Sequence, residues 1–195
     1  MFNLRIVKEY PRHRLKAKTR HGLHSPFVYR LVDEVVYGFS QKKVLQDIEM
    51  LPETLNQRPG AKKLNRLLYR IINDRQPEDI VLLGKVSPVT RAYIKAGAGE
   101  AVISQRLENF PTNLDIVFID TKHYSEAKEL LNWCFLYVNE HTLVILKNIY
   151  CTDGMKTVWS EVKANPKVTV TVDLFMVGLI YFRKGQVRED FWIRF

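Results

Sequence analysis

The chain has 195 residues, of which 46% are hydrophobic and 26% charged, with only 9 Gly and 8 Pro. This composition excludes disordered, collagen-like and linker-rich proteins, and the length favours a single domain with an ordinary core. The formal net charge is +9. The two cysteines cannot build a disulfide framework, and no apolar run is long enough to span a bilayer. We therefore expect a cytoplasmic protein with no membrane segment.

Much of the positive charge lies in a basic arm within the first 20 residues, opposed there only by Glu9. Such an arm can neutralise phosphates and give salt-sensitive binding to nucleic acid. It can also be a solvated segment that docks on acidic groups of the protein itself. The sequence has no helix-turn-helix spacing, RNP signature or zinc-finger pattern, which favours the second interpretation. The cationic residues of the arm are Arg5, Lys8, Arg12, Arg14, Lys16, Lys18 and Arg20.

The N-terminal third is predicted to be helical. Ser25 followed by Pro26 is a helix start, and apolar residues recur at helical spacing up to a stop at Gly38. This capping role explains Ser25 better than a nucleophile paired with a neighbouring histidine. A weaker helix is expected over 44–55, interrupted by Pro52, and Pro59-Gly60 is expected to be a break. A strong amphipathic stripe over 64–72 then ends at Gln76-Pro77.

From residue 79 onward, short apolar runs alternate with helical patterns. Runs typical of strands buried on both faces cover 80–84, 115–120 and 143–146, with a short candidate strand at 101–103. The first helix is expected from Ser87-Pro88 to about Ala96, where Gly97-Ala98-Gly99 ends it. A second helix is expected over 127–138, and a third begins at a cap at Asp153 and extends to 162. The runs 168–175 and 177–182 are spaced for an antiparallel hairpin. We predict one α/β domain over 1–195: a mostly parallel Rossmann-like sheet in 77–195 with that hairpin, preceded by the arm and helices of 1–76.

In such a sheet, ligands bind at the carboxyl ends of the strands. That places the turns 84–87, 120–123 and 147–150 side by side. A nucleotide-like cofactor needs a glycine-rich first turn, whereas this turn has only Gly84 and is followed by Pro88. Gly84, Lys85 and Ser87 are therefore weak cofactor-binding candidates.

Asp120 and His123 are the catalytic candidates in the second turn. A carboxylate and an imidazole at the edge of a sheet can act as base and partner, or bind a metal. The alternative is that Asp120 caps the following helix and His123 is a solvated loop residue, and we favour it. Lys147 and Asn148 in the third turn do not complete a metal site, so none is predicted. Cys134 lies on an apolar helix face and is expected to be inert.

Several segments resemble a branch of the class I S-adenosylmethionine-dependent methyltransferases, of the catechol O-methyltransferase type. The opening signature HGLHSPFV at 21–28 carries the resemblance, together with 66–70, the strand 80–84, the strand 117–120 with His123, and the tail 168–182 and 191–195. The resemblance covers most of the chain. It implies a Rossmann-like methyltransferase fold and, in an active member, S-adenosylmethionine as cofactor.

The departures from this family concern the cofactor site. Members usually have an acidic residue late in the first strand and a glycine-bearing turn, where this chain has Leu82, Gly84 and Lys85. The later strand that tends to end in acidic residues ends here in Lys147 and Asn148, and a lysine would repel a metal and a sulfonium. The connection between Gly84 and the strand at 115 holds about one βαβ unit. The two further strand-helix units of the family do not fit there, although Glu100 or Glu108 could replace the acid that holds the ribose.

The resemblance and its departures lead to one hypothesis and two alternatives. The leading hypothesis is a shortened methyltransferase-like domain with a degraded cofactor site, now a non-catalytic binding or scaffolding protein that could act through self-association. The first alternative is an active methyltransferase with an altered pocket, using Asp120 or His123 as base. The second is a nucleic-acid-binding module using the basic arm.

Overall fold

The computed structural model describes residues 4–38, 42–54, 56–105 and 114–195, which contacts divide into two compact units. The first unit comprises Met1–Thr19, Asp79–Lys85 and Ile103–Phe195, and the second comprises Arg20–Glu78 and Val86–Val102. The organisation as one domain stays a prediction. Within these ranges, no helix has the length and apolar character needed to cross a membrane.

The first unit is built on a mixed sheet of seven strands within the described residues. β1 (Asp79–Gly84), β3 (Ile116–Asp120) and β4 (Leu143–Lys147) are parallel neighbours. β5 (Val170–Asp173) and β7 (Glu189–Trp192) are also parallel, and β6 (Val177–Tyr181) runs antiparallel to both β4 and β5. The predicted α/β fold with a C-terminal antiparallel hairpin is therefore confirmed. In spatial order the strands are β2 (Val102–Ser104), β1, β3, β4, β6, β5 and β7.

Two helices, α6 (Tyr124–Tyr137) and α7 (Asp153–Ala164), share a hydrophobic core with the sheet. The central strands are buried because their apolar runs are unbroken, and Ile116, Val117 and Ile119 are fully inaccessible. Trp159 of α7 packs so closely on β6 that a Cβ added at Gly178 would lie 2.5 Å from its ring carbons. The core therefore depends on a glycine in the middle of a strand.

Most of the basic arm is helical. α1 (Leu4–Lys16) buries Glu9 and His13, and the chain after it pairs with the C-terminal segment at a bridge between Lys18 and Ile193. The backbone N–H of Lys18 donates to the carbonyl of Trp192 at 2.7 Å, and that of Arg194 donates to the carbonyl of Lys18 at 3.0 Å. These contacts join the N-terminal helix to β7.

The second unit contains the predicted N-terminal helices. Ser25 caps the first of them, accepting a hydrogen bond from the Val28 N–H at 3.4 Å, as expected. Within the described residues these helices are α2 (Pro26–Arg30), continued by a π-helical segment (Leu31–Val36), α3 (Lys42–Glu49) and α4 (Pro59–Arg75), with 3-10 turns at Arg20–Gly22 and Pro52–Thr54. The same unit contains α5 (Pro88–Ala98), the helix predicted from Ser87-Pro88.

A network of charged and polar groups centres on Glu49 in the second unit. Its carboxylate accepts hydrogen bonds from Arg66 Nε at 2.6 Å and from the Tyr93 hydroxyl at 3.1 Å, and it pairs with Lys62 Nζ at 2.8 Å. The hydrogen bond from Arg66 is the main cause that lowers the pKa of Glu49 to about 2, with Lys62 and Tyr93 acting in the same direction. The network therefore holds Glu49 charged.

Four local expectations are corrected. Pro59-Gly60 is not a break but the first turn of α4, since proline suits the first helical position. α5 continues through Gly97, where an added Cβ would meet the Tyr69 carbonyl at 2.8 Å, and ends at Ala98. The cap of α7 is Thr152, whose hydroxyl accepts from the Met155 N–H at 3.1 Å, rather than Asp153. The strand expected at 101–103 is β2, one residue later; Leu55 and Glu108 lie outside the described residues.

Candidate functional site

The second and third predicted turns meet at the carboxyl edge of the sheet, as does the end of β1. Gly84 pairs with Asp120 in the register between β1 and β3, and Lys147 ends the neighbouring strand β4. Parallel neighbours bring their carboxyl ends to one edge, which is the usual ligand position in such sheets. This edge is the candidate functional site.

Asp120 is held in a closed ion pair. The residue is 8% exposed. One oxygen of its carboxylate lies 2.6 Å from Lys147 Nζ, and the other lies 3.0 Å from Asn148 Nδ2. The same amide nitrogen donates to the carbonyl of Thr121 at 3.0 Å. Asn148 takes a left-handed backbone conformation, φ 66°, which asparagine tolerates better than most residues. Both carboxylate oxygens are therefore engaged by the protein itself.

The close approach of β1 and β3 explains why the turn after β1 has a glycine. Gly84 has φ 78°, and an added Cβ would lie 2.3 Å from the carbonyl oxygen of Asp120. The backbone N–H of Lys85 donates to that same oxygen at 2.9 Å. Gly84 is thus required by the chain geometry, and the Lys85 amide is already bonded within the protein.

Ser87, the third cofactor-binding candidate, has a capping role in the second unit. Its hydroxyl accepts from the Thr90 N–H at 3.1 Å, at the start of α5. The Thr90 hydroxyl lies 2.9 Å from it and also bonds the Asn65 side chain at 3.1 Å. Proline follows Ser87, so this position combines a hydroxyl cap with a proline in the first helical turn.

Asp120 is buried and His123 is exposed, and the catalytic role considered for them stays a prediction. The side chain of His123 is exposed, as the solvated alternative expects. Asp120 does not cap α6, because the N-cap position is His123 itself. The hydroxyl of Thr121 accepts from the His123 N–H at 3.2 Å and bonds the Glu126 side chain. Among the residues described here, no cluster of three or more His, Cys, Asp or Glu side chains could hold a metal.

Sequence reasoning missed a buried polar centre at the end of β5. Asp173 is 1% exposed, and its carboxylate accepts from the Tyr150 hydroxyl at 2.6 Å and from Trp159 Nε1 at 2.9 Å. His13 Nε2 lies 3.0 Å from the other carboxylate oxygen, which also accepts from the Phe175 N–H at 2.9 Å. The only local signal is an aspartate inside an apolar run. Burial, and then the charge of Asp173, raise the pKa of Tyr150, which keeps its hydroxyl protonated.

The residues of the basic arm make several contacts within their own units. Arg5 pairs with Asp153, and the Arg12 guanidinium lies 3.7 Å from the Glu9 carboxylate. Arg14 lies over the ring of Tyr10, and Arg20 pairs with Asp33 at 2.7 Å. These contacts agree with docking on the protein's own acidic groups, and nucleic-acid binding by the arm stays a prediction.

Comparison with solved structures finds methyltransferases. The SAH-bound methyltransferase PaMTH1 of Podospora anserina matches with TM-score 0.54 and 11% identity, over 83% of this chain and 98% of that chain. Cofactor-bound Rv0187 from MTB matches with TM-score 0.52 and 12% identity, over 84% of this chain and 99% of that one. No family model and no curated protein matches the sequence. At this identity the likeness shows the fold, which is methyltransferase-like over most of the chain.

Proposed function

We propose that this protein is a methyltransferase-like domain whose S-adenosylmethionine site is degraded, and that it serves as a binding or scaffolding module. The ion pair of Asp120 with Lys147, closed by Asn148, is the observation that carries the proposal. It lies at the sheet edge where folds of this type bind ligands. The carboxylate of Asp120 is engaged by the protein, and a cation lies beside it.

The charge of Lys147 opposes the charge of the cofactor. S-adenosylmethionine carries a sulfonium cation, and two unit charges 4 Å apart repel by about 4 kcal/mol at the effective dielectric constant near a protein surface. That energy corresponds to roughly a thousand-fold loss of affinity for a sulfonium placed at this edge. Pairing with Asp120 reduces the repulsion, but it also removes the carboxylate that would attract the sulfonium.

The turn after β1 offers little to a nucleoside. A cofactor cradle uses free backbone N–H groups at a glycine-rich turn, because they can approach the ligand closely. Here the Lys85 N–H is bonded to the Asp120 carbonyl, and Pro88 has no N–H to donate. The residues present therefore fit the cofactor poorly.

An active methyltransferase is the second candidate, favoured by the likeness to an SAH-bound methyltransferase over 83% of the chain. In that case the ion pair must open so that Asp120 can accept a proton, or the exposed His123 must act as base. A reduced site can still work, because methyl transfer depends mainly on positioning the two reactants. Turnover by this route would be lost in Asp120→Asn.

Calorimetric titration of the full chain with S-adenosylmethionine and with its demethylated product tests the proposal. We expect no saturable binding of either compound at concentrations up to about 1 mM, roughly −4 kcal/mol of binding free energy. Micromolar binding overturns the degraded site. Accumulation of S-adenosylhomocysteine with a methyl acceptor, lost in Asp120→Asn but kept in Glu140→Gln, would establish the active enzyme instead. Glu140 is a suitable control because its partner Lys184 is 81% exposed.

A further inference from the structure

A pocket of about 400 Å³ opens on the first unit, between α1, the turn after β4, α7 and β7. Its volume lies within the range of small-ligand sites, about 300–1,000 Å³. All its lining residues belong to one unit, and none of them is Asp120 or Lys147. The pocket is therefore separate from the candidate site described above.

The charged side chains of the pocket are mostly cationic. Arg12, Lys16 and Lys156 line it together with one carboxylate, that of Glu9. Lys156 Nζ lies 2.8 Å from the Glu9 carboxylate, and the Arg12 guanidinium lies 3.7 Å from it. The hydrogen bond from Lys156 lowers the pKa of Glu9, so this carboxylate cancels one of the three cations. Without counting His13, two positive charges remain, and they balance the charge of a phosphate monoester.

The floor of the pocket is fixed by the Asp173 centre. Tyr150 and His13 both line the pocket, and both are bonded to the buried Asp173 carboxylate, at 2.6 Å and 3.0 Å. The ring of Tyr150 also stacks on Phe175 with 5.3 Å between ring centroids. A binding surface whose side chains are held by buried contacts loses little freedom when a ligand arrives.

One wall of the pocket is the indole of Trp192. This side chain is half-buried, and the ammonium groups of Lys16 and Lys163 lie 5.9 Å and 4.8 Å from its ring. Sites that bind single-stranded nucleic acid combine aromatic rings, on which bases stack, with a positively charged groove that follows the phosphates.

We propose that this pocket binds a nucleoside monophosphate, with the phosphate at Arg12, Lys16 and Lys156 and the base against Trp192. The inference gives a ligand class to the binding role proposed above, and it uses none of the residues on which the degraded site was argued. The same chemistry is available from a free mononucleotide or from one nucleotide of a single strand of RNA, and the test separates these two sources.

Titration of the full chain with inosine 5′-monophosphate at 50 mM salt is the test, with inosine and inorganic phosphate as partial ligands. We expect the nucleotide to bind at least ten-fold more tightly than either partial ligand. Arg12→Gln with Lys16→Gln should weaken it at least ten-fold. The matched control is Lys8→Gln with Arg14→Gln, which removes the same charge from the same helix but outside the pocket lining, and it should change affinity less than two-fold.

Trp192 supplies a second, independent variant. Trp192→Leu should weaken nucleotide binding at least five-fold, since the stacking of a base on an aromatic ring is lost. Trp192→Phe should restore most of the affinity. Thermal unfolding of each variant identifies any that fails to fold, and the Arg12 and Lys16 pair then carries the test.

Three results overturn the proposal: no nucleotide binding up to 10 mM, equal weakening by the control pair, or equal affinity for inosine and the nucleotide. A 20-nucleotide single-stranded RNA provides the second arm. If the RNA competes with the mononucleotide, one nucleotide of the RNA occupies the pocket. If both variant pairs weaken RNA binding equally, the RNA binds along the whole basic arm rather than in the pocket. Binding of S-adenosylmethionine would overturn only the degraded site, because that compound has no phosphate.

Discussion

Replacing Lys147 by methionine removes the ammonium group beside Asp120 and keeps most of the side chain's volume. The Lys147 side chain is 24% exposed, and that of Asp120 is 10% exposed. The substitution therefore leaves a mostly buried carboxylate without its cation, while the hydrogen bond from Asn148 to the other carboxylate oxygen remains.

The expected loss in free energy of unfolding is about 2 kcal/mol. Hydrogen bonds to charged groups contribute about 1.5–3 kcal/mol. Removing one partner of a fully buried pair costs about 3–5 kcal/mol. Here the Asp120 carboxylate keeps the hydrogen bond from the Asn148 amide and some contact with water, so we expect a loss in the range of about 1.5–3 kcal/mol. For a chain of this length, a loss of about 2 kcal/mol lowers Tm by about 4–8 °C.

Equilibrium urea unfolding followed by circular dichroism measures this loss, and a double-mutant cycle isolates the pair. In an Asp120→Asn background, Lys147→Met should lower the free energy of unfolding by less than about 0.5 kcal/mol, because the carboxylate that pairs with the lysine is absent. The control is Lys184→Met, which removes a lysine paired with Glu140 at 3.4 Å on the surface. That loss should stay within about 0.5 kcal/mol.

The result that would refute the reasoning is an equal cost of Lys147→Met in both backgrounds. It would mean that the lysine acts through packing alone and that Asp120 is not held by it. A Lys147→Met protein as stable as the parent chain would also show that the lysine does not hold Asp120, and it would leave Asp120 available to a ligand.

Three further perturbations follow from the fold. Gly178→Ala should lower the free energy of unfolding by about 1–3 kcal/mol by overpacking, because an added Cβ would lie 2.5 Å from ring carbons of Trp159; urea unfolding measures the loss, and an unchanged stability would contradict the close packing. Glu49 has a folded pKa of about 2 against an ordinary value of 4.5, so its stabilising contribution is fully present above pH 4.5 and is lost as the pH falls toward 2. The stability difference between the parent chain and Glu49→Gln should therefore shrink over that interval, and a constant difference would contradict the assignment. Burial raises the pKa of the Cys134 thiol to about 12, so an alkylating reagent at pH 8 should leave it unmodified in the folded protein, as read by mass spectrometry, and should modify it after unfolding.

The central strands are predictable because a strand buried on both faces needs an unbroken apolar run, and β1, β3 and β4 each have one. β7 has none: Glu189 and Asp190 begin it, and it lies at the end of the strand order beside β5. Its formation depends on a pairing partner rather than on its own residues, so nothing local in the sequence indicates it.

The position of the candidate site follows from the sequence, but the roles of its residues do not. Asp120 is recognisable as an acid at a strand end, whereas its state depends on Lys147, 27 positions away. Asp173 depends on His13 in the same way, from 160 positions away. A single sequence gives residue types and spacing along one chain, while a carboxylate's chemistry is set by whichever donors the fold brings to it.

The junction of α1 with the last strand has a consequence for biosynthesis. Arg194 Nε donates to the carbonyl of Ala17 across 177 sequence positions. A ribosome that adds roughly 5–20 residues per second takes about 10–35 s to make the intervening chain. During that time the first helix has left the exit tunnel without the strand that anchors it, so its attachment must wait for the synthesis of β7.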